Sequence, residues 1–139
     1  MMQVWMLMAV LTVGILSCST AAKTSSGGGV VTEKIPQLSP EQARLYDHFF
    51  LEAMVQRQKG QQDAAFDLLS HCLDINPHAA EVYFFMAQYY SALKQTEKSL
   101  DYFQTAARLN PQNETYMETL AQVYIRQQNY QDAIAVVEK

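Results

Sequence analysis

The chain repeats itself at an interval of 34 residues, and this period constrains its fold more than any other feature. Asn76-Pro77 returns 34 residues later as Asn110-Pro111. Two sets of small residues align at the same offset, namely Ala53, Ala87 and Ala121, and Ala65, Ser99 and Ala133. A period of this length indicates stacked supersecondary units, none of which buries its apolar face without a neighbour.

Each period contains apolar residues at helical spacing and ends in a turn signal. The spacing predicts helices at residues 40–59, 63–75, 80–93, 97–109, 114–127 and 130–138. Ser39 can cap the first helix, because Pro40 suits its first position and Gln42 completes a capping box. We expect no strand after Ser39.

The turn inside each helix pair differs between the repeats. Gly60 can adopt the positive φ that ends a helix, but Lys94 and Gln128 stand at the same place in the next two repeats. These two residues adopt positive φ less readily than glycine does. Thr96 and Asn129 are therefore expected to cap the helices that follow these turns.

From about Tyr46 to Lys139, the chain resembles the tetratricopeptide repeat (TPR) family. The matching positions are small residues in both helices, an aromatic residue in the first, and a closing proline. They are Ala53, Ala65, Cys72, Pro77, Ala87, Tyr90, Ala106, Pro111, Ala121, Tyr124 and Ala133. The family's tryptophan is replaced by Phe49, Tyr83 and Met117. The resemblance implies an all-α fold, an α-solenoid of antiparallel helix pairs forming a TPR-like superhelix with about two and three-quarter repeats.

The N-terminal residues predict export. Val4 to Leu16 is an uncharged, mostly apolar run, too short for a transmembrane helix, which needs about 20 residues. Its length fits a signal peptide. Ile15-Leu16-Ser17-Cys18 resembles a bacterial lipobox, which implies cleavage after residues 1–17 and lipid attachment at Cys18. The alternative is an ordinary signal peptide followed by an incidental cysteine.

The remaining boundaries follow from composition. Residues 18–38 contain few large apolar side chains and are expected to form a flexible, lipid-anchored tether. Residues 39–139 are expected to form the repeat domain. We expect this domain to be incomplete at Lys139, because the closing proline of its third repeat would fall near residue 145. The predicted location is a membrane of the bacterial cell envelope, the outer membrane above all, facing the periplasm or the surface.

Chemistry-bearing motifs are sparse in this sequence. A net charge of −4 without a basic run argues against a nucleic-acid partner. No His or Cys pair has metal-ligand spacing, and Gly27-Gly28-Gly29 is framed by neither a helix nor a strand. Cys72 stands at a small-residue packing place and is expected to be buried. These observations predict no enzyme activity, no cofactor, no metal site and no small-molecule substrate.

The resemblance also implies a binding surface. In TPR proteins, the first helices of successive pairs line a concave groove that holds a segment of a partner protein. The matching positions are Asp47, Phe50, Met54, Arg57, Glu81, Phe84, Gln88, Ser91, Glu118, Gln122 and Ile125. Phe50 and Phe84 lie 34 residues apart, and they either line an open groove or pack as core. Both interpretations remain open on the sequence alone.

Two functions fit these features. The first is a protein–protein interaction scaffold of the bacterial cell envelope, which binds a partner peptide or helix in the groove and a membrane through its lipid anchor. The alternative is an N-terminal docking and targeting module of a larger secreted enzyme, whose catalytic domain would lie beyond Lys139. Further repeats beyond that residue would favour the scaffold, and a catalytic motif there would favour the enzyme.

Overall fold

The computed structural model describes residues 37–138, which form α-helices and contain no strand. The helices are α1 (Pro40–Gln58), α2 (Gln62–Ile75), α3 (Ala80–Ala92), α4 (Thr96–Leu109), α5 (Glu114–Arg126) and α6 (Tyr130–Val137). The predicted all-helical fold is confirmed, and every helix end lies within one residue of its predicted place.

The helices pack as three consecutive pairs. The most extensive contacts join α1 to α2, α3 to α4, and α5 to α6, while α2 with α3 and α4 with α5 connect one pair to the next. Connections of three residues within each pair require neighbouring helices to run antiparallel. The result is the helical solenoid that the 34-residue period predicts.

The start of α1 has the predicted capping box. The backbone N–H of Gln42 donates to Ser39 Oγ at 3.2 Å, and the backbone N–H of Ser39 donates to Gln42 Oε1 at 3.0 Å. Two of the N–H groups that a helix start leaves unpaired are thereby satisfied. Pro40 occupies the first helical position, where its lack of an N–H costs nothing.

All three turns inside the pairs use the left-handed backbone conformation. Gly60 has φ +76°, and Lys94 and Gln128 adopt it too, with φ +58° and +61°. The backbone hydrogen bonds explain why: Gln61, the residue after Gly60, donates back to the carbonyl of Gln56, which closes the turn. The repeat geometry therefore imposes positive φ even where the sequence does not supply glycine.

The predicted caps have different outcomes. The Asn129 side chain accepts a hydrogen bond from the backbone N–H of Asp132 at 3.4 Å, so it caps α6 as expected. Thr96 is instead the first residue of α4, and Gln95 occupies the cap position without a side-chain hydrogen bond. The prediction for Thr96 is wrong, because the turn closed by Lys94 starts the helix one residue earlier than the cap requires.

Small residues form the seams of the fold. Ala53, Ala87 and Ala106 have no exposed surface, and Ala65 is 2% exposed. Their lack of bulk lets helices approach closely, so a larger side chain there would cost about 1–3 kcal/mol. The Ser99 hydroxyl at such a seam donates to the Ala87 carbonyl at 3.0 Å, which satisfies a buried polar group.

Several predictions concern residues outside the described range. The signal peptide at residues 1–17, lipid attachment at Cys18 and the tether as far as residue 36 all lie there. Between residues 37 and 138, no helix is both long enough and apolar enough to span a bilayer.

Candidate functional site

The predicted groove residues occupy three different settings. Phe84 belongs to the core, with 8% of its surface exposed. Its ring stacks on Tyr116 at 4.8 Å between centroids, and contacts Phe103 and Phe85 edge-on at 5.5 and 6.0 Å. Of the two interpretations for this ring, the structure therefore supports core packing.

Phe50 stands at the same place in the previous repeat but is only half-buried. Its ring is stacked on Tyr46, with 5.9 Å between centroids and 7° between planes, and lies 6.0 Å from Phe85. Met54, one turn further along α1, is also half-buried against this cluster. Part of this apolar surface remains available at the edge of the first repeat.

Arg57 and Gln88 are brought together across the junction of the first two repeats. Arg57 Nη2 on α1 donates to Gln88 Oε1 on α3 at 2.8 Å. The guanidinium also lies over the ring of Phe85, 4.1 Å from its centroid. A guanidinium can stack on an aromatic face while its N–H groups bond in its own plane, so both contacts coexist.

The electrostatic setting of Arg57 is unusual for a charged side chain. Among residues 37–138, no carboxylate lies within 4.0 Å of its guanidinium, and Nη1 is enclosed without a hydrogen-bond partner. Loss of hydration lowers the pKa of Arg57, because the surroundings disfavour the charged form. Charged groups in such surroundings are normally paired.

A cleft of about 370 Å³ opens beside Arg57, between the end of α1, the start of α2 and the end of α3. Its walls are mainly aromatic and apolar; the residues that matter below are Arg57, Asp63, Phe66, Phe85, Tyr89 and Leu93. Phe66 and Tyr89 pack with 4.4 Å between ring centroids, and Leu93 at the rim is 50% exposed. Concave apolar surface with few polar groups is typical of binding sites.

The next repeat junction has a cleft at the same place. It encloses about 240 Å³, and its lining matches the first at the 34-residue offset, with Ser91 in the place of Arg57 and Arg126 in the place of Ala92. An adjoining hollow of about 210 Å³ contains Gln88 as well as Ser91 and Arg126. Gln88 therefore borders cavities at both junctions, and each junction has one arginine in its lining.

The acidic members of the predicted groove are not gathered into one site. Glu81 accepts a hydrogen bond from the hydroxyl of Tyr46, which ties α1 to α3. Asp47, Glu118 and Gln122 are exposed on α1 and α5. Within the described residues, these three form no hydrogen bond or ion pair with another predicted groove residue.

Sequence analysis did not single out Phe85 or Tyr89. A signal was present, because Phe85 precedes Gln88 by three residues and therefore shares its helix face. Tyr89 follows Phe85 by four residues, and its hydroxyl donates to Asp63 at 2.6 Å on the opposite wall. Pairing of the two aromatics with the preceding repeat depends on the depth of the junction, which the period does not specify.

The described residues hold little reactive chemistry. Between residues 37 and 138, no group of three or more His, Cys, Asp and Glu side chains could bind a metal ion. The Cys72 thiol is fully buried, and this burial, together with the negative charge of Glu81, raises its pKa to about 11. Such a thiol is a poor nucleophile at neutral pH.

Paired helices, small-residue seams and a repeated cleft together define an α-solenoid repeat protein. The family model described as "Psidin, N-terminal TPR repeats region" matches residues 38–137, and the chain belongs to this family of TPR repeats. Protein interaction is the function class that this membership supports. No curated protein sequence matches the chain.

Solved structures with the same fold include several of MamA. "Crystal structure of MamA" has a TM-score of 0.60 at 13% identity, covering 67% of this chain and 54% of that chain. "MamA 41-end from Desulfovibrio magneticus RS-1" has a TM-score of 0.58 at 20% identity, covering 67% and 52%. The chain thus spans about half the length of each of these two structures, and the likeness concerns the fold.

Proposed function

We propose that this chain is a protein–protein interaction scaffold of the bacterial cell envelope. It binds a peptide or helical segment of a partner protein along α1, α3 and α5, the first helices of the three pairs. The carrying observation is the contact of Arg57 with Gln88 and Phe85 beside an aromatic-lined cleft. Polar donors and apolar walls converge there on the helices that the TPR family uses for binding.

The proposed groove is narrower than the one predicted from the sequence. Phe84 is part of the core and supports α3 from behind, so it is not a contact for the partner. Phe50, Met54, Arg57 and Gln88 remain at the first junction, and Gln122 is exposed further along on α5. The binding surface is therefore centred on the junctions between repeats, where surface from two first helices is available at once.

Site-specific photo-crosslinking of the full chain in its host cells tests this surface. A photoreactive residue replaces Gln122 on α5 or Asp47 on α1, and matched controls carry it at Arg108 or Glu97 on α4, all four being exposed. We expect one discrete crosslinked partner from the two groove positions and none from α4. Equal crosslinking from both sets of positions would exclude a binding surface on the first helices.

The envelope location is a separate part of the proposal. It rests on the apolar run from Val4 to Leu16 and on Cys18 directly after Ser17. A lipid-modified cysteine would hold the protein firmly on a membrane, because a mature lipoprotein carries several acyl chains. We expect the wild type to incorporate labelled palmitate and to sediment with membranes, and Cys18→Ala to lose both properties. Absence of label from the wild type would exclude the lipid anchor and leave a plain exported protein.

A further inference from the structure

The first repeat junction contains a cation prepared for a ligand. Arg57 has one face of its guanidinium against Phe85 and its Nη2 bonded to Gln88, so its orientation is fixed. Nη1 has no partner, and between residues 37 and 138 no acid lies within 4.0 Å of the guanidinium. An enclosed N–H without an acceptor costs about 1–3 kcal/mol, which an acceptor from a ligand would recover. The chemistry that fits best is a carboxylate, which accepts hydrogen bonds from an arginine fork.

The walls of the cleft define what accompanies that carboxylate. Phe66 and Tyr89 provide a paired aromatic surface, and Leu93 leaves half of its side chain exposed at the rim. Apolar surface of this kind favours an apolar side chain. The carboxylate of Asp63 also lines the cleft and accepts from the Tyr89 hydroxyl. It would repel a second acid there, so the ligand carboxylate is restricted to the Arg57 side.

The second junction extends the site in one direction. Its cleft contains Arg126, and Gln88 borders the cavities at both junctions. A segment that passes from one cleft to the next meets Arg57, then Gln88, then Arg126. Two carboxylates on one segment cannot both be chain ends, so at least one of them belongs to an acidic side chain. This arrangement favours internal acidic residues over a terminal carboxylate.

We propose that the two clefts bind a partner segment carrying acidic side chains next to apolar ones, with one carboxylate on Arg57 and a second on Arg126. This inference rests on the proposed function and names the chemistry of the partner. Specificity comes from the requirement for both groups. An acidic segment without apolar side chains leaves the clefts empty, and an apolar segment without acids leaves the Arg57 Nη1 unsatisfied.

Synthetic peptides with acetylated N-termini and amidated C-termini are the probe, since blocked ends remove terminal charges. Each contains two Asp-Phe pairs separated by an alanine spacer of increasing length, and a matched set has Asn for Asp. Binding to the folded protein is measured by fluorescence anisotropy. We expect one range of spacers to bind, and the Asn set to bind about tenfold or more weakly. Higher salt should reduce the difference.

Protein variants locate the two carboxylates. Arg57→Gln and Arg126→Gln should each weaken the Asp peptide about tenfold while leaving the Asn peptide unchanged. Arg108→Gln on α4 removes the same charge at an exposed position outside both clefts, and should change neither. Arg57→Lys keeps the charge but loses the planar fork, so its affinity should fall between those of the wild type and Arg57→Gln. Thermal unfolding establishes that each variant is folded, and Arg57→Lys carries the test if Arg57→Gln is not.

Four results would overturn the inference: no spacer binds, Asp and Asn peptides bind alike, Arg57→Gln weakens binding no more than Arg108→Gln does, or only peptides with a free C-terminal carboxylate bind. The proposed function fails in a different way, because crosslinking on the first helices would then be absent. Crosslinking that persists in Arg57→Gln would preserve the scaffold and exclude the acidic segment as its ligand.

Discussion

The rings of Phe84 and Tyr116 stack across the junction of the second and third repeats, with 4.8 Å between centroids and 29° between planes. Phe103 on α4 completes the arrangement edge-on to Phe84 at 5.5 Å. Three helices thus meet at one side chain, and all three rings are nearly inaccessible to solvent. The Phe84 ring therefore holds the second pair of helices against the third.

Removal of this ring should destabilise the fold. Phe84→Ala is expected to cost about 3–5 kcal/mol of unfolding free energy, as for other buried aromatic residues. Phe50→Ala should cost less, about 1–3 kcal/mol, because that ring is only half-buried. Urea unfolding followed by circular dichroism measures both, with Leu69→Ala as the buried control. An unchanged midpoint for Phe84→Ala would contradict the core assignment.

The different settings of Phe50 and Phe84 show where sequence reasoning stops. Both residues stand at one place in the 34-residue register, so the period assigns them to the same helix face. Depth depends on what packs on that face. Phe84 meets Phe103 and Tyr116, whereas Phe50 meets Tyr46 and Phe85 at the edge of the array. Spacing predicted the helices and their pairing, but burial at each repeat depends on contacts distant in sequence.

The turns show the converse case, where local signals were weak and the geometry was still uniform. Gly60 needs no side-chain space, because a Cβ there would meet nothing within 4 Å. Its φ of +76° is the whole constraint. Lys94 and Gln128 adopt similar φ values although a residue with a Cβ is strained in this region. Their strain is compensated by the closing backbone hydrogen bonds of the helix pair.

Exchanging residues between these turns should change stability in opposite directions. Gly60→Ala is expected to lose about 1 kcal/mol from backbone strain alone. Lys94→Gly should gain about 0.5–1 kcal/mol, since relief of strain exceeds the extra chain entropy of glycine. Chemical denaturation of both variants measures the two shifts. A loss of stability in Lys94→Gly would show that its positive φ carries little strain.

Cys72 should be protected from thiol reagents while the protein is folded. Its side chain has no exposed surface, and burial raises the pKa of the thiol to about 11. Reaction with a chromogenic disulfide then requires local or global unfolding. In Cys18→Ala, where Cys72 is the remaining cysteine, we expect labelling at neutral pH to be about a hundredfold or more slower than in urea. Equal rates in the two conditions would place the thiol at the surface.

Alkaline pH should destabilise the protein through Tyr46 and Cys72. Burial and the hydrogen bond to Glu81 raise the pKa of Tyr46 well above its usual value near 10. Its neutral form is therefore favoured by folding. The resulting stability is complete below about pH 10, and is lost as pH rises because the unfolded chain releases this proton first. Cys72 contributes in the same direction between about pH 9 and 11.

Substitution of Tyr46 separates the two contributions. Tyr46→Phe should cost about 1 kcal/mol at neutral pH, because Glu81 loses its hydrogen-bond donor. Between pH 10 and 12 its stability should then fall less steeply than that of the wild type, since one titrating group is gone. Tyr130→Phe, at a ring that is 58% exposed, is the matched control and should follow the wild-type curve. Urea unfolding at successive pH values measures all three slopes, and identical slopes for Tyr46→Phe and the wild type would show that the Tyr46 hydroxyl does not link the two repeats.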